Sequence, residues 1–293
     1  MALFLKVVSL AAVLSQTVNA LDLDTSSSDS IKNAATTIAG DLIKLYPVNS
    51  TSNDSIGLFG TPYYFWEDGA VWGALIDYYI YTNDSTYKSL VSQALLAQKG
   101  SNNDYMPVAQ TKDLGNDDQS TWALACLDAV EYGFPNPAGS PPWLELATNV
   151  WNEQAKRWDN SSCQGGIRWQ IYSFNNGYDY KNSATNGQFF LLSARLARIT
   201  GNSTYSQWAD TTYNWLSSIG LIDSQGNVYD GTDSTTNCSS VNHLAWSYNG
   251  AGIVFGSSVL YNYTNGSSVW RDRVLTLTNA TVGTFASKYS NVM

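Results

Sequence analysis

Apolar residues recur at helical spacing along most of the chain, and the recurrence predicts nine helices. The first, over 28–46, puts Ile31, Ala34, Ala35, Ile38, Leu42 and Leu45 on one side, with Ser28-Asp29 at its entrance. Others are predicted over 66–81, 85–98, 117–132, 142–158, 181–200, 204–219, 246–261 and 267–287. Their ends carry the matching punctuation. Asp84 caps the third, Pro142 sits in the first turn of the fifth, and Gly100, Gly133, Gly201 and Gly220 follow four of them. The links at 81–84 and 200–203 are tight, whereas 99–116, 159–180 and 220–245 are long and rich in Gly, Asn and aromatics. Runs at 165–171 and 227–231 read as short strands inside those long links. Tight links make antiparallel hairpins and long loops carry function. The fold class expected is all-α, an α/α toroid of helical hairpins forming one domain over 21–293.

The N-terminus departs from this pattern. Lys6 precedes an apolar run over 7–14, and Val18-Asn19-Ala20 resembles a cleavage site, so residues 1–20 read as a signal peptide of a secreted protein. The run is too short to span a bilayer comfortably. Nine Asn-x-Ser/Thr sequons suit that route: Asn49, Asn53, Asn83, Asn160, Asn202, Asn237, Asn262, Asn265 and Asn279. Cysteines can pair in an oxidising compartment. Cys163 and Cys238 lie in Gly/Ser/Asn-rich loops and Cys126 in a helical pattern, so a Cys163–Cys238 disulfide and a buried free Cys126 are expected. That bridge would close a loop of about 75 residues, adding ~4 kcal/mol on the chain-entropy model.

Composition narrows the chemistry. The net charge is -9 with Lys and Arg scattered, which disfavours nucleic acid. One histidine, His243, and three cysteines exclude multi-histidine and four-cysteine metal sites, and no phosphate cradle follows a strand. No metal and no cofactor are expected. Aromatics reach 13%, with 11 Trp and 19 Tyr, as many residues as are charged. Flat aromatic faces suit the apolar C–H faces of sugars, whose rims need polar partners. Tyr63-Tyr64-Phe65-Trp66-Glu67, Arg168-Trp169, Tyr178-Asp179-Tyr180 and Trp246-Ser247-Tyr248-Asn249 combine both. Helix-borne Trp72, Trp122, Trp151, Trp208 and Trp215 read as core.

The sharpest feature is Asn116-Asp117-Asp118-Gln119, two carboxylates opening a helix after a long loop. Exposed backbone N–H groups there favour an ionised carboxylate, and two close carboxyls resist ionising together. One can stay bare as nucleophile while the other holds a proton, the division retaining glycosidases need with carboxyls about 5–5.5 Å apart. Ordinary capping competes with this reading: Asn116 as cap and Gln119 completing a capping box. Asn182 and Asn186, at i and i+4, could grip hydroxyls from one helix face, or Asn182 could merely cap its helix. His243 reads as structural.

At these residues the chain resembles glycoside hydrolase family 76, in its fungal endo-α-1,6-mannosidase-like, secreted or GPI-anchored branch. The resemblance is carried by Tyr64-Phe65-Trp66-Glu67 with Gly69, Asn116-Asp117-Asp118-Gln119, Gly165-Gly166-Ile167-Arg168-Trp169, Tyr180-Lys181-Asn182 with Asn186-Gly187, Asp230-Gly231 and Tyr248-Asn249. It implies an (α/α)6 barrel, with about nine of twelve helices here and the family's C-terminal part missing. It implies Asp117 as nucleophile and Asp118 as acid/base. Trp66, Trp169 and Tyr248 would wall the subsites, with Glu67, Arg168, Asn182, Asn186, Asp230 and Asn249 as further substrate-binding residues. The implied substrate is α-1,6-mannan or the mannosyl core of a GPI glycan, with wall glucan as a possible acceptor and attack by hydrolysis or transfer. Two rivals stand beside it. One is a catalytically inactive protein that binds wall glycan or has a structural role. The other is a lyase of similar fold, for which the basic cluster is lacking.

Overall fold

The computed structural model describes residues 21, 23–47 and 55–286; the signal-peptide reading and the sequons at Asn49 and Asn53 lie outside them. Among the described residues run nine α-helices: α1 Ser28–Leu45, α2 Phe65–Thr82, α3 Lys88–Ala97, α4 Asn116–Glu131, α5 Trp143–Lys156, α6 Ser183–Thr200, α7 Ser203–Ser218, α8 Ser247–Tyr263 and α9 Ser268–Phe285. Helices α2, α4, α6 and α8 pack side by side in that order, and α3, α5, α7 and α9 each back onto the helix before them, with α1 behind α2. The result is a curved double layer, the hairpin array of an α/α toroid. None of the described helices is long and apolar enough to cross a membrane.

The inner layer is apolar on nearly every side. In α6 every residue from Ser183 to Ala197 except Gln188 is buried. Asn182 caps it, its carboxamide oxygen accepting from Thr185 N at 3.0 Å, and Gly201 ends it in the left-handed conformation that lacks a steric cost only for glycine. Trp72, Trp122, Trp151 and Trp215 are buried and Trp208 is half-buried against them. The Trp122 indole donates to Phe65 O at 2.8 Å, pinning α4 to the entrance of α2. The long links 98–115, 157–182 and 219–246 lead into the inner helices α4, α6 and α8, which present their N-termini, with those loops, at the same end as that of α2.

The ends differ from expectation where local side-chain chemistry intervenes. Asp84 accepts from Thr86 N and closes its own turn, so α3 starts at Lys88 rather than 85. Pro142 stands just outside α5 as its N-cap, and Lys181 belongs to a strand rather than to α6. The strands also fall elsewhere. β1 Tyr180–Asn182, β2 Gly231–Asp233 and β3 Val241–Asn242 make an antiparallel sheet in that order, pairing Tyr180 with Asp233 and Thr232 with Val241. The run 165–171 contributes only Gln170, bridged to Gly115, and 227–231 only Val228, bridged to Ile222, before Gly231 opens β2. Gly165 and Gly166 have φ of 134° and 88°, which no extended run allows, and a Cβ on Gly166 would strike the Trp215 ring.

Cys163 and Cys238 are joined, 75 residues apart, and Cys126 is free and buried. Nearby Lys181 is fully buried, its ammonium donating to Asp159 O, Ser162 O and Gly165 O and pairing with the Asp159 carboxylate at 3.2 Å. Disulfide and ammonium together fasten the loop that leads to Trp169. The sequon residues Asn83, Asn160, Asn202, Asn237, Asn262, Asn265 and Asn279 are all exposed.

Candidate active site

The start of α4 is fastened from three directions. Asn116 N donates to Trp169 O at 2.8 Å, its carboxamide donates to Arg168 O at 2.9 Å, and Gln154 donates to Asn116 O at 2.7 Å. Gly115, not Asn116, is the N-cap. Asp118, not Gln119, completes the capping box, accepting from Gly115 N at 2.6 Å. Gln119 is buried and reaches Asp104 O instead, at 2.6 Å. Capping and chemistry therefore meet in one residue: Asp118 holds the helix entrance and still stands beside Asp117.

The two carboxyls crowd a single spot. A Cβ placed on Gly115 would overlap oxygens of both Asp117 and Asp118 and touch the Trp169 indole nitrogen. Gly115 has φ of -88°, so alanine is tolerated by the backbone and excluded only by the site. Gly115→Ala is expected to lower activity about a hundredfold by displacing the carboxyls, with Tm nearly unchanged. Full activity in purified Gly115→Ala would show that the carboxyl positions do not matter.

Both carboxyls are half-buried. Burial raises the Asp117 pKa well above the usual range, and the Asp118 charge adds to it, against hydrogen bonds from backbone N–H groups and the Trp169 indole. Burial also raises Asp118, to about 6, opposed by the Gly115 N–H. Two such groups hold one proton between them near neutrality.

Aromatic residues stand at the same end of the inner helices. Trp66 is 47% exposed at the entrance of α2 and Tyr248 57% exposed at that of α8, while Trp169 is half-buried over Asp117. Burial raises the Tyr248 hydroxyl, as do the charges of Asp230 and Asp117, which places all three groups within electrostatic reach. Asp230 accepts from the Tyr180 hydroxyl at 2.7 Å and from the Trp246 indole at 2.9 Å.

Other candidates are engaged in holding the frame. Glu67 accepts from Tyr64 N at 2.7 Å and caps α2. Arg168 pairs with Asp159 at 2.9 Å and Asp179 at 2.8 Å and lies over the Tyr178 ring. Asn186 is fully buried, bonding both the N–H and the carbonyl of Ile167, and so positions the segment before Trp169. Asn249 is buried, with neither amide atom hydrogen-bonded among the described residues. His243 is exposed, edge-on to Tyr229. No cluster of metal-ligating side chains occurs among the described residues.

The glycosyl hydrolase family 76 model matches residues 30–293. The chain belongs to glycosyl hydrolase family 76. A putative mannan endo-1,6-alpha-mannosidase of Schizosaccharomyces pombe is 44% identical over 282 residues, 96% of this chain and 63% of that protein. The mannan endo-1,6-alpha-mannosidase DCW1 of Saccharomyces cerevisiae is 43% identical over 94% of this chain and 62% of its own length. The chain thus spans about three-fifths of the curated relatives it matches. Dfg5 from Chaetomium thermophilum, crystallised with glucosamine, superposes with a TM-score of 0.86 at 39% identity, over 90% of this chain and 66% of that one. An inactive variant of a Salegentibacter alpha-1,6-mannanase, with two aspartates replaced by asparagine and alpha-1,6-mannotriose bound, shares the fold at 19% identity, with a TM-score of 0.68 over 86% of this chain and 70% of that one.

Trp246 belongs to an aromatic and polar run already marked in the sequence, whereas the buried carboxyl of Asp68 carries no sequence signal. Trp246, 45% exposed, stacks on Tyr248 at 6.3 Å and steadies Asp230; its two-residue spacing from Tyr248 is the signal that marks it. Asp68 is buried in the first turn of α2, its carboxyl accepting from Phe59 N at 3.0 Å. Burial raises its pKa to about 7 against that bond, and the Glu67 charge adds to the rise. A raised carboxyl contributes most below its unfolded pKa of about 3.9 and loses that contribution as pH climbs through 7. Asp68→Asn keeps the acceptor without the charge, so its Tm is expected to exceed wild type at pH 8 by more than at pH 5. Equal differences at both pH values would contradict a buried, titrating Asp68.

Proposed function

We propose that the chain carries the catalytic pair of a secreted, retaining glycosidase or transglycosidase that acts on α-1,6-mannosidic linkages in fungal wall construction or mannan breakdown. The observation that carries the reading is the crowding of the Asp117 and Asp118 carboxyls beside Gly115, half-buried, with raised pKa values and aromatic faces around them. It is the sequence's one Asp-Asp pair. The curated relatives are named for endo-1,6-alpha-mannosidase activity, and the neutral glycan they act on needs no charge complement from an acidic protein.

Asp117, receiving the Trp169 indole N–H, is assigned as nucleophile on the sugar's anomeric carbon. Asp118 is assigned to protonate the departing oxygen and then to deprotonate the incoming water or acceptor hydroxyl. Trp66, Trp169, Trp246 and Tyr248 would stack on the sugars, and Asp230 would meet hydroxyls beside them.

The test is purified protein with α-1,6-mannooligosaccharide, with and without an acceptor glycan, followed by product mass analysis. Shortened products alone mean hydrolysis; longer products with acceptor mean transfer. Mannan binding without products, unchanged in Asp117→Asn, would leave only the glycan-binding reading. Export is checked by the N-terminus of the protein recovered from the medium, expected near Leu21.

A further inference from the structure

A hollow opens at the α4 entrance, with Asn116 in its lining. It measures about 330 Å³, and Asn116, Arg157, Asp159, Arg168, Gln170 and Tyr178 are among its lining residues. That volume falls at the lower end for small-molecule sites. Arg157, the C-cap of α5, is half-buried there, and its guanidinium donates only to neutral partners: Asn116 Oδ1 at 2.6 Å, Gln119 Oε1 at 2.8 Å and the Met106 sulfur at 2.9 Å. Among the described residues no carboxylate forms an ion pair with it; Asp104 and Glu153 act on it only from farther away. Burial accordingly pulls its pKa down.

The one carboxylate lining the hollow is already neutralised. Asp159 pairs with Arg168 at 2.9 Å and with the buried Lys181 at 3.2 Å. Burial would raise its pKa, but hydrogen bonds from Ser161 and the Lys181 ammonium hold it well below the usual range. The hollow therefore keeps an excess positive charge in a protein of net charge -9.

Its border is aromatic. Tyr172 follows the lining residues Gln170 and Ile171, and its hydroxyl lies within electrostatic reach of Arg157. Phe174 stacks on Tyr172 at 5.3 Å and 18°, yet is 68% exposed. This loop is held in place, because Asn175 is buried and donates to Thr111 O and Gln170 Oε1, each at 3.1 Å. A guanidinium without a carboxylate partner in the hollow, and a bare ring on the fixed loop that continues from its lining at Gln170 and Ile171, suit a ligand that is anionic at one end and has an apolar ring face at the other.

We propose that this hollow binds a hexose carrying a phosphate ester, the phosphate on Arg157 and the sugar ring against Phe174. Neither Asp117 nor Asp118 is among its lining residues, and the proposal does not rest on the mannosidase reading. Free sugar phosphate and a phosphate-bearing glycan share this chemistry, and both are probed.

Binding is measured by calorimetry at low ionic strength with mannose 6-phosphate, a mannooligosaccharide bearing a 6-phosphate, mannose, glucuronate and inorganic phosphate. Mannose 6-phosphate is expected to bind at least tenfold tighter than mannose or glucuronate, equally in wild type and Asp117→Asn. Tighter binding of the phosphorylated oligosaccharide would name glycan as the source; tighter binding of the monosaccharide would name free sugar phosphate. Arg157→Gln should weaken mannose 6-phosphate at least tenfold. Arg157→Lys, which keeps the charge without the planar fork, should fall between. Phe174→Ala, at an exposed position that spares the fold, should weaken mannose 6-phosphate about fivefold and leave inorganic phosphate unchanged. Equal binding of mannose and mannose 6-phosphate, or no effect of Arg157→Lys and Phe174→Ala, would overturn the proposal even if Arg157→Gln fails to fold.

Discussion

Asp117→Asn is expected to lower turnover of α-1,6-mannooligosaccharide by about a thousandfold to ten-thousandfold, with circular dichroism unchanged. Asp118→Asn should lose a similar amount on that substrate, but the two variants separate on an aryl mannoside whose leaving group needs no proton. There Asp118→Asn should retain a burst of aryl release while Asp117→Asn releases almost none. A reversed pattern would exchange the roles, and burial, which weighs on Asp117 most, supplies a physical reason for that outcome. The pH profile offers a second check. The two carboxyls titrate as a pair, so the profile should shift in Asp118→Asn, where Asp117 loses its charged neighbour. Near-normal turnover by either variant on mannan would remove that residue from the mechanism.

Replacing both Cys163 and Cys238 by alanine is expected to cost ~4 kcal/mol for a closed loop of this length. In a chain of this size that corresponds to a Tm loss of roughly 10 °C. The bridge joins the 159–166 loop to the turn after β2, where Cys163 N also donates to Asn237 Oδ1 at 2.6 Å and Cys163 O accepts from the Trp215 indole at 2.9 Å. Loosening it would slacken the approach to Trp169 and, through the sheet, to Asp230. A reducing agent should lower wild-type Tm by the same amount and leave the double variant unaffected. A double variant as stable as wild type would mean that the neighbouring hydrogen bonds hold the loop alone.

The helical array is legible in the sequence because spacing, proline and glycine agree over long stretches, as for α6 between Asn182 and Gly201. Errors collect where one side chain rewrites a boundary. The Asp84 carboxylate closes its own turn, and Gly165-Gly166 curls through positive φ where an extended run was expected, with Trp158 and Trp215 filling the space that side chains there would need. The same distinction divides the site. The carboxyl pair at a helix entrance and the exposed rings are marked by residue type alone. Whether a polar group is free for a ligand depends on distant partners: Asn186 on Ile167, Arg168 on Asp159 and Asp179. No local spacing reveals those partnerships, and none marks Arg157 as a cation without a counter-ion.

The alternation of long and short links has a bearing on how such a protein can vary. The excursions that enter α4, α6 and α8 gather at the end that carries Asp117, while the returns at the far end are shorter. Insertions and exchanges in the gathered loops can reshape what the mouth admits without disturbing the register of the helices behind it. The scaffold and the selectivity it serves are thereby free to diverge at different rates.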